Sequence, residues 1–161
     1  MKSIRSCNNV EIIKAEISDA KQVLELQKIA YLSEAEIYNN YSIPPLIQKI
    51  EEIIEDFSNQ VVLKAEVAYR IIGSVRAYRE NDTCFIGKLI VHPDFQNQGI
   101  GSKLLNEIEQ IFSNGHRFEL FTGYKSEKNL YLYRKYGYKI FKTEFLTDKL
   151  TLVYLEKERE K

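Results

Sequence analysis

The sequence predicts an α/β (α+β) fold in one domain: a central mixed, mostly antiparallel sheet of about seven strands, flanked by about four helices. Three observations carry this. Apolar residues alternate through three successive runs between Val61 and Val91, joined by turns too short for helical crossovers. Helical-period apolar stretches lie on both sides of those runs. The third run ends in a Pro- and Gly-containing loop that opens an amphipathic helix.

Taken in order, Val10 to Ile17 reads as the first strand. Ser18 and Asp19 offer caps for a helix to about Leu32, with Ala20, Val23, Leu26 and Ala30 on one face. A less regular, Tyr-rich segment follows. Pro44-Pro45 separates it from a second helix whose apolar face is Leu46, Ile50, Ile53, Ile54 and Phe57.

Strands are expected at Val61 to Val67, Ile71 to Arg79 and Thr83 to Val91, as consecutive antiparallel neighbours. The helix after Gly99 presents Gly101, Leu104, Leu105, Ile108, Ile111 and Phe112 over one broad face. Phe118 to Thr122 is a short strand, and Ser126 is placed to cap a helix holding Leu132, Tyr133 and Tyr136. Gly137 suits a left-handed C-cap. Tyr138 to Phe145 and Leu150 to Leu155 form a terminal strand pair, and residues 156–161 read as a solvated tail of mixed charge.

With 161 residues, the chain makes one domain, 1–161, with a substantial core, so a single domain must hold every ligand. It is 44% hydrophobic and 29% charged without low-complexity segments, which argues against global disorder. Lys plus Arg equals Asp plus Glu at 23 each, so no nucleic-acid partner is expected. Cys7 and Cys84 are too few for a disulfide scaffold, and neither a signal peptide nor a membrane span is visible; a cytoplasmic location is expected. The two histidines, the cysteines and the carboxylates lack metal-site spacing, so no metal is expected.

Most of the chemical information lies in Gln96-Asn97-Gln98-Gly99-Ile100-Gly101-Ser102-Lys103, directly after Leu89-Ile90-Val91-His92-Pro93. Glycines let the backbone turn and approach a ligand closely. Free amides at the following helix start, aided by the helix dipole, can cradle a diphosphate. The Lys-Ser/Thr ending of a triphosphate P-loop is missing, and Leu104 breaks the dinucleotide GxGxxG pattern.

Gln96 to Gly101 resembles the Gln/Arg-x-x-Gly-x-Gly/Ala motif of the GCN5-related N-acetyltransferase (GNAT) family. Tyr133-Arg-Lys-Tyr-Gly-Tyr138 resembles the family's later Tyr-x-x-x-Gly-Phe/Tyr segment. With the order of elements, the resemblance reaches from about Val10 to Leu155. It implies acetyl-coenzyme A as acyl donor. Gln98, Gly99, Ile100, Gly101 and Ser102 would offer amides to the pyrophosphate, with Gln96 and Lys103 at the edge of the site. Leu89, Ile90 and Val91 would align the pantetheine arm in a gap where adjacent parallel strands, here Thr83–Val91 and Phe118–Thr122, splay.

The same resemblance makes Tyr133 the candidate acid for the departing thiolate, since an ordinary phenol near pKa 10 is a reasonable donor to sulfur. A main-chain amide near Leu89 would stabilise the oxyanion. Some family members place a carboxylate base early in the strand before the loop, but this chain has Thr83-Cys84-Phe85 there. Glu34 and Glu36 are the candidate replacements or amine anchors, with Glu80 and Asp82 in the preceding turn and a water chain as the other route. Cys84 lacks a Cys-His arrangement and reads as a buried thiol; His92 reads as a turn-former.

By the same resemblance, the segment from Tyr31 to Pro45 overhangs the cleft. There its acids would attract an ammonium group, while Tyr31, Tyr38 and Tyr41 line the acceptor or pack the helical connection. The stretch Phe121 to Asn129 resembles a linker of small family members, with Asn129 either ordering the cleft or sitting on the helix surface. The expected reaction is direct transfer of acetyl to a primary amine of a small molecule, polyamine or protein. A non-catalytic acyl-coenzyme A sensor is the alternative, a dimeric interaction protein the third reading, and a homodimer is compatible with all.

Overall fold

Alternation decides the centre of the sheet. The structure, a computed structural model, describes residues 9–159, so Cys7 and residues 160–161 lie outside it. Val62, Leu63, Ala65 and Val67 are buried in strand β2 (Val61–Val67). Strand β3 (Arg70–Glu80) follows through Ala68-Tyr69, both at positive φ (50° and 65°), the conformation of a tight hairpin turn whose twist matches its strands. Strand β4 (Thr83–Val91) returns after Asn81-Asp82, with Asn81 at φ 56°. Both pairings are antiparallel, as the short connections require.

Strand β1 (Glu11–Lys14) is shorter than the expected Val10 to Ile17 and pairs antiparallel with β2. Ile17–Asp19 forms a 3-10 turn, where Asp19 caps the backbone of Glu16 before helix α1 (Ala20–Ala30). The Tyr-rich segment, expected to be irregular, contains helix α2 (Leu32–Tyr38). Its cause is the spacing of Tyr31, Ala35 and Tyr38, which stacks an inward stripe: Ala35 and Tyr38 are buried. Asn39, at φ 48°, closes it with a left-handed cap. A one-turn helix α3 (Pro44–Ile47) then precedes α4 (Ile50–Asn59), so the second expected helix is broken at Gln48-Lys49, both extended.

Helix α5 (Ile100–Ile111) buries Ile100, Leu104, Leu105 and Ile108 against β2, β3 and β4. Removing roughly 2–3 kcal/mol of burial per such side chain, plus the cavity left, makes Leu104→Ala a change of about 2–5 kcal/mol. Gly73 lets this helix sit close, since a Cβ there would meet Leu104 Cδ1 at 3.1 Å. Helices α1 and α4 cover the opposite face through Val23, Leu26 and Ile53 against Ile71 and Ile90.

Strand β5 (Arg117–Gly123), helix α6 (Glu127–Lys135), strand β6 (Lys139–Thr147) and strand β7 (Leu150–Glu158) complete the chain. Gly137 at φ 95° ends α6 as its position suggested. The sheet order is β1-β2-β3-β4-β5-β7-β6. The terminal strand runs three residues past Leu155: Glu156 accepts from Arg117 Nε at 2.7 Å, so residues 156–158 belong to the sheet instead of a tail. Among the described residues, no helix is long and apolar enough to cross a membrane.

Candidate active site

The parallel pair β4–β5 holds together for only three residues, Thr83, Cys84 and Phe85 against Arg117, Phe118 and Glu119. Beyond Phe85 the strands separate. On the other edge of β4, Ser74 pairs with Ile90 but Arg76 with Gly87, so Lys88 and Leu89 oppose the single residue Val75. That bulge holds Lys88 at φ 51°, and such bulges re-aim the strand they interrupt. No atom lies within 4 Å of a Cβ built on Gly87, so the sheet face at that residue is open. The edge of β4 facing β5 is left with unpaired main-chain groups, able to accept an extended ligand arm.

A cleft of 1470 Å³ runs from this gap, lined by Leu89, Ile90, Val91, Gln96, Gly99, Ile100, Gly101 and Ser102 at one end. Pro93 opens a 3-10 turn in which His92 Nδ1 accepts from the Asp94 amide, so His92 shapes the loop. Gln96 Nε2 folds back to donate to Val91 O at 3.3 Å. Gly99 is left-handed at φ 81° and ψ 8° at the N-cap of α5. The helix's first internal bond from this cap is Lys103 N to Gly99 O, leaving the amides of Ile100, Gly101 and Ser102 without an intrahelical acceptor. These amides, at the positive helix end, fit a diphosphate. Gln98 and Lys103 are off the cleft wall; Lys103 is exposed, and Gln98 Oε1 is buried without a hydrogen-bond partner.

Tyr133 lines the middle of the cleft from α6. Its ring lies 6.0 Å from that of Tyr138, and among the described residues its hydroxyl has no hydrogen-bond partner. Burial first, then the neighbouring Tyr31 and Glu34, raise its pKa, which keeps the phenol protonated. Asn129, one turn earlier, also lines the cleft and donates to Thr122 Oγ1 at 3.1 Å, tying α6 to β5.

Glu34 and Glu36 part company. Two residues apart on a helix, they point to opposite sides. Glu34 lines the cleft, whereas Glu36 is exposed and off its wall. Glu34 terminates a hydrogen-bonded chain: the Lys125 amide donates to the Tyr38 hydroxyl at 2.8 Å, Tyr38 to Ser126 Oγ at 3.0 Å, and Ser126 to Glu34. Ser126 therefore spends its hydroxyl on this chain and not on capping α6, as its sequence position had suggested. Tyr31 also faces the cleft, while Tyr41 is exposed and off its wall.

Glu80 and Asp82 lie in the β3–β4 turn, off the cleft, where Asp82 O accepts from the amides of His116 and Arg117. Cys84 is fully buried, and burial pushes its thiol up to about 12, so it is inert as a nucleophile. Sequence reasoning missed Arg76, which lines the cleft from β3 while only 2% exposed. An arginine in the middle of β3, set between the apolar Val75 and Ala77, was its one visible signal.

A splayed parallel pair, a bulged strand edge and free amides at a helix start suit an extended ligand that carries a diphosphate. Residues 58–140 match the family model for the acetyltransferase (GNAT) domain, and the chain belongs to that family. The ribosomal-protein-S18-alanine N-acetyltransferase of Escherichia coli superposes with a TM-score of 0.77 at 13% identity, covering 92% of this chain and 93% of that one. PaiA N-acetyltransferase from Thermoplasma acidophilum, solved with coenzyme A, gives 0.69 at 22% identity over 93% and 99%. YncA from Salmonella typhimurium, a structure with acetyl-CoA, gives 0.74 at 16% over 94% of each. The Bacillus subtilis protein YqkA is 27% identical over 123 residues, 76% of this chain; the chain spans 35% of that curated relative's length.

Proposed function

We propose that this chain transfers acetyl from acetyl-coenzyme A to a primary amine in a single ternary complex. The observation that carries the reading is one continuous cleft joining the free amides of α5 to Tyr133 and Glu34. Gly99 to Ser102 hold the diphosphate, and the open edge of β4 from Leu89 to Val91 aligns the extended arm. Gln96 fixes the loop through Val91 O, and Asn129 fixes the wall opposite. Gln98 and Lys103 contribute through backbone amides and surface charge.

The acceptor nitrogen attacks the thioester carbon, the carbon–sulfur bond breaks, and the departing sulfur takes a proton from the Tyr133 hydroxyl. A raised pKa suits that role, because the phenol is held protonated until a thiolate develops beside it. The Leu89 amide, on the bulge, is the donor for the charge that grows on the carbonyl oxygen. Glu34 receives the amine proton, its charge held by Ser126. The two carboxyl candidates of the sequence thus reduce to one, with Glu36 outside the proposed site.

The structures solved with coenzyme A or acetyl-CoA support this donor, and the protein N-acetyltransferase among the similar folds supports an amine acceptor. A cleft continuing past Tyr133 favours turnover over a coenzyme-binding sensor. The test mixes purified protein, acetyl-CoA and a broad amine panel, following free thiol and acetylated product together. Equal, amine-dependent release of both supports the reading; thiol release without an acetylated amine overturns it.

A further inference from the structure

We propose that Arg76 selects acceptors carrying a carboxylate near the reacting amine, so that the acceptor is a free amino acid. This rests on the acyltransferase reading and names its acceptor class. Arg76 stands on β3 opposite Gly87, beside the Lys88-Leu89 bulge where β4 leaves β5. It is 2% exposed and still forms part of the cleft wall.

Its guanidinium is held firmly on one side. Nη2 donates to Gln27 Oε1 at 2.9 Å and reaches Gln48 Oε1 at 3.5 Å. Gln27 is itself anchored to Pro45 O and Gln48, and Gln48 to Asp56 Oδ2 at 2.8 Å. The other side is buried and not hydrogen-bonded. Nε stands 3.8 Å from Asp56, an ion pair without a hydrogen bond, and neither Nε nor Nη1 has a hydrogen-bond partner.

A buried arginine normally has its donors satisfied, since an unpaired buried charge is among the costliest features a fold retains. Lys88 adds a second cation to the same wall, partly buried and, among the described residues, without an ion pair. Burial and then Arg76 lower its pKa. Asp56 is the one carboxylate paired with Arg76 among the described residues. The fixed guanidinium with unspent donors is a preorganised carboxylate site.

The geometry also says where the amine goes. Arg76, Tyr31 and Glu34 line one cleft. Its wall therefore carries both a fixed cation, Arg76, and an anion, Glu34, complementary to the carboxylate and the amine of an amino acid. The sequence had suggested a cationic acceptor because Glu34 and Glu36 were both counted and Arg76 was not. With Glu36 outside the cleft, Arg76 and Lys88 on its wall offset acids that the sequence reading had left unopposed.

The test compares acceptor pairs differing only in the carboxylate: lysine with cadaverine, phenylalanine with phenethylamine. The expected result is at least a tenfold higher kcat/KM for the amino acid, collapsing in Arg76→Gln through KM, with acetyl-CoA affinity unchanged. Lys88→Met narrows the same preference several-fold. A direct titration of N-acetylated amino acids and N-acetylated amines into coenzyme A-saturated wild-type protein needs neither turnover nor a variant. Tighter binding of the carboxylates supports the site. Equal affinity for both, equal kcat/KM for both members of each pair, or an equal loss on both in Arg76→Gln overturns it and leaves Arg76 a scaffold residue. If no amine is acetylated, the acyltransferase reading fails, while the titration still decides Arg76.

Discussion

Replacing Gly99 by Val tests the phosphate cradle with a magnitude that the structure supplies. Gly99 is left-handed at φ 81°, and no atom lies within 4 Å of a Cβ built there. The Cβ itself meets no neighbour, so its penalty is conformational. An L-residue in the left-handed region costs about 1–2 kcal/mol, and β-branching sets Val at the upper end. That energy has two outlets. If the loop keeps its shape, stability falls by that amount, a Tm shift of about 2–8 °C at this chain length. If the loop relaxes, the amides of Ile100 to Ser102 leave register, and acetyl-CoA binds roughly 5–30-fold more weakly, since 1.4 kcal/mol is tenfold. Calorimetric titration of acetyl-CoA and thermal unfolding, run on wild type, Gly99→Ala and Gly99→Val, measure both outlets. Unchanged affinity together with unchanged Tm in the Val variant would refute the reasoning.

Tyr133→Phe should lower kcat about 100-fold or more with acetyl-CoA affinity intact, as removal of a general acid does. Its unpartnered hydroxyl predicts little change in Tm; steady-state rates and a Tm comparison check this, and a wild-type rate contradicts it. Glu34→Gln should slow transfer at least tenfold whereas Glu36→Gln behaves as wild type, because only Glu34 faces the cleft; equal effects in parallel assays would contradict the assignment. Gly123→Ala places a methyl group on the Tyr38 hydroxyl. It should cost about 1–3 kcal/mol and speed hydrogen exchange in α2, whereas unchanged urea unfolding would contradict the packing. Burial lifts the Cys84 thiol from 9.0 to about 12, so the native state keeps a proton that the unfolded chain releases. Stability from this group is full below pH 9 and falls as pH rises towards 12; urea midpoints should decline less steeply with alkalinity in Cys84→Ala, and parallel declines would exclude the effect.

Much of the fold was legible because period and length determined it. β2 and β4 occupy the residues that their alternation marks, and the tight turns leave only antiparallel pairing. The left-handed turns at Gly99 and Gly137 were readable from glycine position. Helix α2 was not, since seven residues around a buried Ala35 show too short a stripe to separate from a loop. In the site, the diphosphate loop could be read locally, because its donors are consecutive backbone amides. Glu34 could not be told from Glu36 without the helical phase, nor could Ser126 be seen to serve Glu34 from 92 residues away. Arg76 depends on partners from α1, α4 and the segment between α3 and α4, which only the tertiary fold brings together.

The central claim is that acetyl-CoA lies across the start of α5 and along the open edge of β4. Hydrogen exchange of the protein with and without saturating acetyl-CoA tests this most directly. Slowed exchange at the amides of Gly99 to Lys103 and of Leu89 to Val91, leaving β1 unaffected, is the predicted result. Protection absent from both segments, or confined to another face of the sheet, would contradict it.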